Sequence, residues 1–360
     1  MAVYIVLFGF IVIMGLVNQK YENKYNNVYS IICIVLICIV QGLRDVTIGE
    51  DVAEYTIWFK EYCDISKITS LFHPWRDIEL GYSVLNIILS RITDSIRPMM
   101  VIVSVIIITS NFMLIKKVSS LQVVSIALFF GFNFFITSMV SWRQFIAMGF
   151  VFWMYPFLME KKYVKAGLMC IIALLFHDTA LIFAIPLIII YLFSNHKKSS
   201  LIILLIGIIG FIFSGYILKL ALFIFPSYKY YFEEMIAEAG MGKMRLVYNI
   251  IEIGLIIYVY FDKKLCEKKY TVLSGILAVA VIMGFLAAKI PFMFRISYYF
   301  DYFMIFLIPD LLMSIKTSNK KMFYILEGLV LIASMVIYVY YLSTNPGNTV
   351  PYVLCLYRLM

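Results

Sequence analysis

Residues 138–150 read SMVSWRQFIAMGF, with Arg143 in the middle of an apolar run and Gln144 beside it. A charged side chain at the centre of a bilayer costs about 2.5–3.5 kcal/mol on insertion scales, so this arginine lies near an interface or has a task. Ser141 and Gln144 stand at the S-x-x-Q spacing of a capping box, which opens a helix and puts Arg143 in its first turn. From there the side chain can snorkel outward. Backbone N–H groups and the positive end of the helix dipole already attract anions at that place. A cation there is favourable only with an anion bound. The plainer reading is an interfacial anchor, with Trp142 as a belt residue.

Four further stretches carry groups able to do chemistry. GLRDVTIGEDVAEY (42–55) sets Arg44-Asp45 before Gly49, Asp51 and Tyr55. Its acids can cap a helix after a glycine turn, or a carboxylate can act on sugar hydroxyls while Asp45 orients Arg44. The spacing is not that of a calcium-binding EF-hand. LLFHDTALIFAIP (174–186) breaks an apolar hairpin with His177-Asp178. A lone histidine is usually a satisfied turn residue, but one at membrane depth is a candidate general base. In KIPFMFRISYYFDYF (289–303), Arg295 opens an apolar run, followed by Tyr298, Tyr299 and Asp301. These tyrosines can stack on sugars or form an aromatic belt. The tail carries Pro351-Tyr352 and Arg358.

The elements that must position these groups are membrane helices. The chain has 360 residues, 63% hydrophobic and 14% charged, with a mean hydropathy of +0.95; soluble proteins carry about 25% charged residues. Apolar runs long enough to cross a bilayer recur throughout, without the alternation of a barrel. Residues 2–17 lack a basic leader and a cleavage site, and are expected to be a retained first span. Short lysine-rich breaks at 18–27, 116–117, 160–165, 195–200, 262–270 and 316–321 belong in the cytoplasm by the positive-inside rule. The breaks at 44–97, 139–144, 177–178, 226–245 and 289–295, and the tail 343–360, then lie outside.

About twelve spans satisfy this alternation: 2–17, 28–43, 98–115, 120–138, 145–159, 164–176, 178–193, 201–225, 246–261, 271–288, 296–315 and 322–342. Both ends are expected outside. Residues 82–96, interrupted by Arg91 and Asp94, read as an interfacial or re-entrant helix. The expected fold is all-α: one polytopic integral membrane domain over 1–360, with one long extracytoplasmic loop at 44–97.

The cytoplasmic breaks hold lysine and no arginine, whereas Arg44, Arg76, Arg91, Arg97, Arg143, Arg245, Arg295 and Arg358 all fall on the outer side. A codon bias explains few arginines but not their placement. The planar guanidinium matches phosphate and carboxylate oxygens, so an anionic ligand at the outer face is expected. The net charge of +9 sits in short loops and does not indicate nucleic acid. The six cysteines show no CxxC or Cys/His metal spacing. His73 and His196 lie in loops and invite no such argument. There is no Walker A, GxGxxG, HExxH or GxSxG motif, so neither a metal nor a cofactor is expected.

R-D-x3-G-x-D-x3-Y from Arg44, E-x-G-Y at Glu79–Tyr82, R-Q-x-x-A at Arg143–Ala147, the lone His177 and the tail Pro351-Tyr352 occur in an order that resembles the EpsG family of Wzy-type polymerases. Glu50 departs from the small residue expected between Gly49 and Asp51. The resemblance implies an architecture like that of metal-independent membrane glycosyltransferases and ligases. It implies transfer of a glycan from undecaprenyl diphosphate onto another lipid-linked repeat unit, at the outer face of the bacterial inner membrane. The partners implied are that donor and acceptor and membrane lipids, with a chain-length regulator and a flippase as candidates. Arg143, Gln144, Arg295, Arg44, Tyr298, Tyr299 and Tyr352 become substrate-binding candidates, and His177, Asp51 and Asp45 candidates for the base. The competing classes are a lipid-linked oligosaccharide flippase or other carrier, and a membrane O-acyltransferase.

Overall fold

The computed structural model describes residues 1–64, 78–194, 198–213, 215–216, 219, 243–287 and 293–355. His73, Arg76, His196, Arg358 and most of the loop 226–245 fall outside them. Regular structure among the described residues is helical, apart from one antiparallel bridge between Arg44 and Leu354. The chain groups into two compact units, residues 1–181 with 309–360, and residues 182–308.

The first unit holds α1 (Ala2–Lys20), α2 (Asn26–Gly42), α3 (Val52–Asp64), α4 (Leu80–Ser90), α5 (Arg97–Val118), α6 (Gln122–Gly131), α7 (Phe134–Val140), α8 (Trp142–Val151), α9 (Met154–Met159) and α10 (Tyr163–Leu174). The second is built from α11 (Ala180–Phe193), α12 (Ser199–Ile212), α13 (Lys243–Phe261), α14 (Lys268–Leu286), α15 (Met293–Asp301) and the start of α16 (Met304–Ser318). The end of α16 and α17 (Lys320–Thr344) return to the first unit. A helix satisfies its own backbone polar groups, the condition for crossing a bilayer. Local signals set its ends. Pro98 starts α5, Lys116 and Lys117 close it, and the Asn319 side chain accepts from Met322 N to cap α17.

Among the described residues, six helical stretches are long and apolar enough to cross a membrane: α1, α5, α13, α14, α15 with α16, and α17. A seventh arises if α6 and α7 count as one span bent by 56°. The bend sits at Asn133, whose backbone is left-handed with φ 67°, a conformation asparagine tolerates better than most residues. The remaining expected spans are shorter. Residues 28–43, 164–176 and 178–193 correspond to α2, α10 and α11, with 17, 12 and 14 residues. The stretch 145–159 is split into α8 and α9 at Phe152-Trp153. The expected interfacial helix is α4, which ends before Arg91.

The breaks between helices pair with one another. The segments expected outside meet one another: Asp45 N donates to Val353 O at 2.8 Å, Glu50 N to Gly347 O at 2.8 Å and Cys355 N to Leu43 O at 2.9 Å. Those expected inside do likewise. Lys117 and Lys162 each pair with Glu160 at 2.5 Å.

Close packing in the first unit depends on α6 meeting α17. A Cβ on Gly131 would stand 2.8 Å from Ser334 Cα, a backbone atom that cannot swing aside. Gly131→Val should therefore cost about 1–3 kcal/mol by overpacking, read as a lower Tm of the detergent-solubilised protein. Gly167→Ala, with nothing within 4 Å of the new methyl group, should not lower it.

Candidate functional site

The start of α8 is held from behind by Trp142. Its indole is buried, donates to Met139 O at 2.9 Å, and stacks on Tyr55 at 4.6 Å and 20°. Trp142 is thus a packed anchor and not a belt residue. Ser141 occupies the N-cap position, but its side chain makes no cap hydrogen bond. The S-x-x-Q spacing does not close a capping box here, and Gln144 is buried. Arg143 nevertheless falls in the first turn, and an anion does lie beside it. Its Nη1 meets Glu79 Oε2 at 2.5 Å, and its guanidinium covers the Trp58 ring at 4.9 Å.

Glu79 is the junction. Its other oxygen, Oε1, lies 2.6 Å from His177 Nδ1. The three side chains are mostly shielded, at 11% exposure for Glu79, 20% for Arg143 and 25% for His177. Burial pushes the Glu79 carboxyl up, but the hydrogen bond from His177 and the Arg143 charge outweigh it and hold the group below its usual range. An ionised carboxylate only accepts, so Nδ1 of His177 carries the hydrogen. In the neutral ring Nε2 is then the basic nitrogen. Glu79 fixes both the orientation and the tautomer of His177.

Local structure brings these groups together. The tip after α10 is drawn onto α4 by Gly81 N donating to Leu175 O at 2.6 Å. A Cβ on Gly81 would lie 2.7 Å from that same oxygen, so only glycine permits the approach. Phe176 stacks on Phe150 of α8 at 6.0 Å. Helix α3 supplies an aromatic wall. Trp58 Nε1 donates to Glu54 Oε1 at 3.2 Å, Tyr62 donates to Ser83 Oγ at 2.9 Å, and Tyr55 packs against Tyr82 at 5.8 Å. The buried Tyr82 hydroxyl has no hydrogen-bond partner among the described residues.

The other candidates are placed differently. Arg44 is 1% exposed, and its fork is taken by carbonyls: Ile48 O at 3.3 Å, Met139 O at 2.6 Å, and Gln41 O. It also covers Trp142 at 5.8 Å. Asp45 is buried in a turn, where Oδ1 accepts from Thr47 N at 3.1 Å and Thr47 Oγ1 at 2.7 Å. Asp51 is half-buried just before α3, and its carbonyl accepts from Tyr55 N. Tyr352 donates to Val40 O at 3.2 Å and packs edge-on against Tyr4. Arg295, Tyr298 and Tyr299 lie on α15 in the second unit, with Tyr299 fully buried against Phe183 and the other two half-buried. Among the described residues no group of three or more His, Cys, Asp or Glu could hold a metal ion.

Sequence reasoning did not single out Glu79 as a site residue. It stood only inside E-x-G-Y, and no local spacing ties it to positions 64 and 98 residues away. Nor did it connect Arg245, Glu252 and Asp301, which form a second buried network.

These motifs fall within a match to the EpsG family that runs over residues 37–354. The chain belongs to the EpsG family. This is a family of Wzy-type polymerases, and with the apolar helices it makes the protein a multi-pass membrane protein of polysaccharide-polymerase type. No curated protein and no solved structure matches the chain.

Because the Glu79 pKa is depressed in the folded protein, its ionised form contributes stability above its unfolded pKa. That contribution disappears as pH falls through the lower folded value. Unfolding followed by tryptophan fluorescence should show Tm falling with acidification through the carboxylate range. Glu79→Gln should be less stable by roughly 2 kcal/mol at neutral pH, the scale of a charge-assisted hydrogen bond, and should show a shallower acid limb. An unchanged acid limb would separate Glu79 from the pH response.

Proposed function

We propose that this EpsG-family protein polymerises a polysaccharide by transferring a growing glycan from undecaprenyl diphosphate to a hydroxyl of another lipid-linked repeat unit. The reaction takes place at the outer face of the bacterial inner membrane. The observation that carries the reading is the bridge Arg143–Glu79–His177, which joins an anion-binding group to a base on the side that the lysines assign to the exterior.

The steps follow from the chemistry of these groups. His177 Nε2 removes the proton from the acceptor hydroxyl, and Glu79 stabilises the imidazolium that forms. The acceptor oxygen forms a bond to the anomeric carbon as that carbon's bond to the diphosphate oxygen breaks. The lipid diphosphate leaves with the bonding electrons. Arg143, at the positive end of α8, stabilises its charge. The energy is already in the diphosphate linkage, so no nucleotide is consumed. The buried rings of Tyr55, Trp58 and Tyr82 form a wall that backs Arg143 and Glu79. Arg44, Asp45 and Tyr352 shape the outer loops behind this wall. Asp51 remains the alternative base. Gln144 is a further candidate contact beside Arg143, and Arg295, Tyr298 and Tyr299 are candidates within the second unit, each to be tested by itself.

The test is polymer formation from purified protein and lipid-linked repeat units with no nucleotide added. Arg143→Ala should lower the rate by about 10²–10³-fold, the scale of removing one charge-stabilising donor. Arg143→Lys should recover only part of it, since an ammonium cannot form the fork. His177→Ala should lose about 10²–10⁴-fold. Normal chain length from His177→Ala, at normal protein level, removes His177 as the base. The same result from both Arg143 variants removes the phosphate role.

A further inference from the structure

The second unit contains a buried charged cluster that the transfer reaction does not use. Arg245, in the first turn of α13, is its centre. Nε donates to Asn249 Oδ1 at 2.9 Å, and Nη2 to Glu252 Oε2 at 2.8 Å. Nη1 donates to Asp301 Oδ2 at 2.5 Å and to Ser297 Oγ at 3.1 Å, both on α15. Helix α14 contributes an absence: a Cβ on Gly284 would collide with the Asn249 and Arg245 side chains. Arg245 is 9% exposed, Asn249 1%, and Glu252 and Asp301 0%.

The charges do not balance. One guanidinium faces two carboxylates, leaving one negative charge where no water reaches. Uncompensated buried charge is strongly destabilising. Among the described residues, the only cation paired with either carboxylate is Arg245. On α13 the Arg245 guanidinium covers the Tyr248 ring at 5.6 Å. On α14 no ionisable side chain occurs from Thr271 to Leu286. On α15, Arg295 is not among the charges acting on Glu252, which are Asp301 and Arg245.

The hydrogen bonds leave the same gap. Glu252 Oε1 and Asp301 Oδ1 are buried and meet no donor among the described residues, while the other oxygen of each carboxylate sits on the same guanidinium, Glu252 on Nη2 at 2.8 Å and Asp301 on Nη1 at 2.5 Å. Two carboxylates on one guanidinium, each with an oxygen that meets no donor, call for a hydrogen.

We propose that Glu252 and Asp301 hold one proton between them, which makes the Arg245 cluster a proton-binding site of the second unit. The proton cancels the surplus charge and supplies the missing donor in one step. Calcium takes six to eight oxygen ligands, and the two carboxylates here fall short of that. Loss of the proton sets two like charges against each other and drives α13 from α15. Arg245 borders a segment expected outside the membrane, so the site answers to external pH. This holds whether or not the transferase reading does.

The experiment uses the full-length protein in lipid nanodiscs. Infrared difference spectra at neutral pH, wild type minus Glu252→Gln, should show the carbonyl stretch of a protonated carboxylic acid. Tm of the wild type should fall by several degrees as pH is raised into the alkaline range. Glu252→Gln, a permanently neutral stand-in that keeps a donor, should lose most of that fall. Asp301→Asn is the second variant should the first not fold. Absence of the protonated band from both difference spectra overturns the proposal. So does a Tm raised at alkaline pH by sodium chloride but not by choline chloride, which assigns the site to a metal cation.

Discussion

A single carboxylate ties three elements of the first unit together. Glu79 accepts from Arg143 with one oxygen and from His177 with the other, and so joins the start of α4, the start of α8 and the tip after α10. Two residues on, Gly81 N is bonded to Leu175 O, which adds a backbone tie between the same two elements. Tyr82, next again, places its ring against Tyr55. The E-x-G-Y segment is therefore a unit of charge, close approach and aromatic contact. Each part depends on the others, since the carboxylate reaches His177 only where a glycine lets the tip come near. In a shielded setting such a charged junction has few alternatives, because breaking it strands a buried cation.

Behind this junction stands a second layer. Trp142 lies between Tyr55 and the Arg44 guanidinium, and Arg44 binds carbonyls from α2, from the turn after it and from Met139. The tail completes the layer by pairing with residues 43–50. Gly49 allows this with φ 108°, where a Cβ would also press on Met139 O at 3.2 Å. Non-helical backbone at the edge of a membrane must be satisfied by protein, and these pairings provide that. The reacting groups thus rest on packed aromatic rings and bonded loops.

Much of this architecture was legible in the sequence. Apolar length and the lysine breaks marked out the helices, and the pairing of residues 43–50 with the tail is visible only in the fold. Span count was less legible, because hydropathy cannot see a bend at Asn133 or a break at Phe152-Trp153 inside an apolar run. Arg143 and His177 were readable as isolated charges in apolar surroundings. Glu79 was not, since a glutamate in a polar loop is ordinary until the fold sets it between two distant cations. The capping box failed for a similar reason. Its spacing was present, but spacing does not fix the orientation of the Ser141 side chain, which makes no cap hydrogen bond.

The segregation of arginine from lysine now has a physical account with two parts. Each of the three buried or shielded arginines uses its planar fork inside the protein: Arg44 on carbonyls, Arg143 on Glu79, Arg245 on Glu252 and Asp301. Lysine, a strongly hydrated point charge, lacks the planar fork that Arg44 and Arg245 use, so at those two positions arginine is a building device. Arg143 differs from the other two in exposure and in what surrounds it. Arg44 is bound by carbonyls and Arg245 is bound on all three nitrogens, whereas Arg143 is held through one nitrogen and an aromatic face. A guanidinium that keeps donors in reserve at a helix N-terminus is the one suited to receive an anion. That asymmetry, more than the number of arginines, sets Arg143 apart from Arg44 and Arg245.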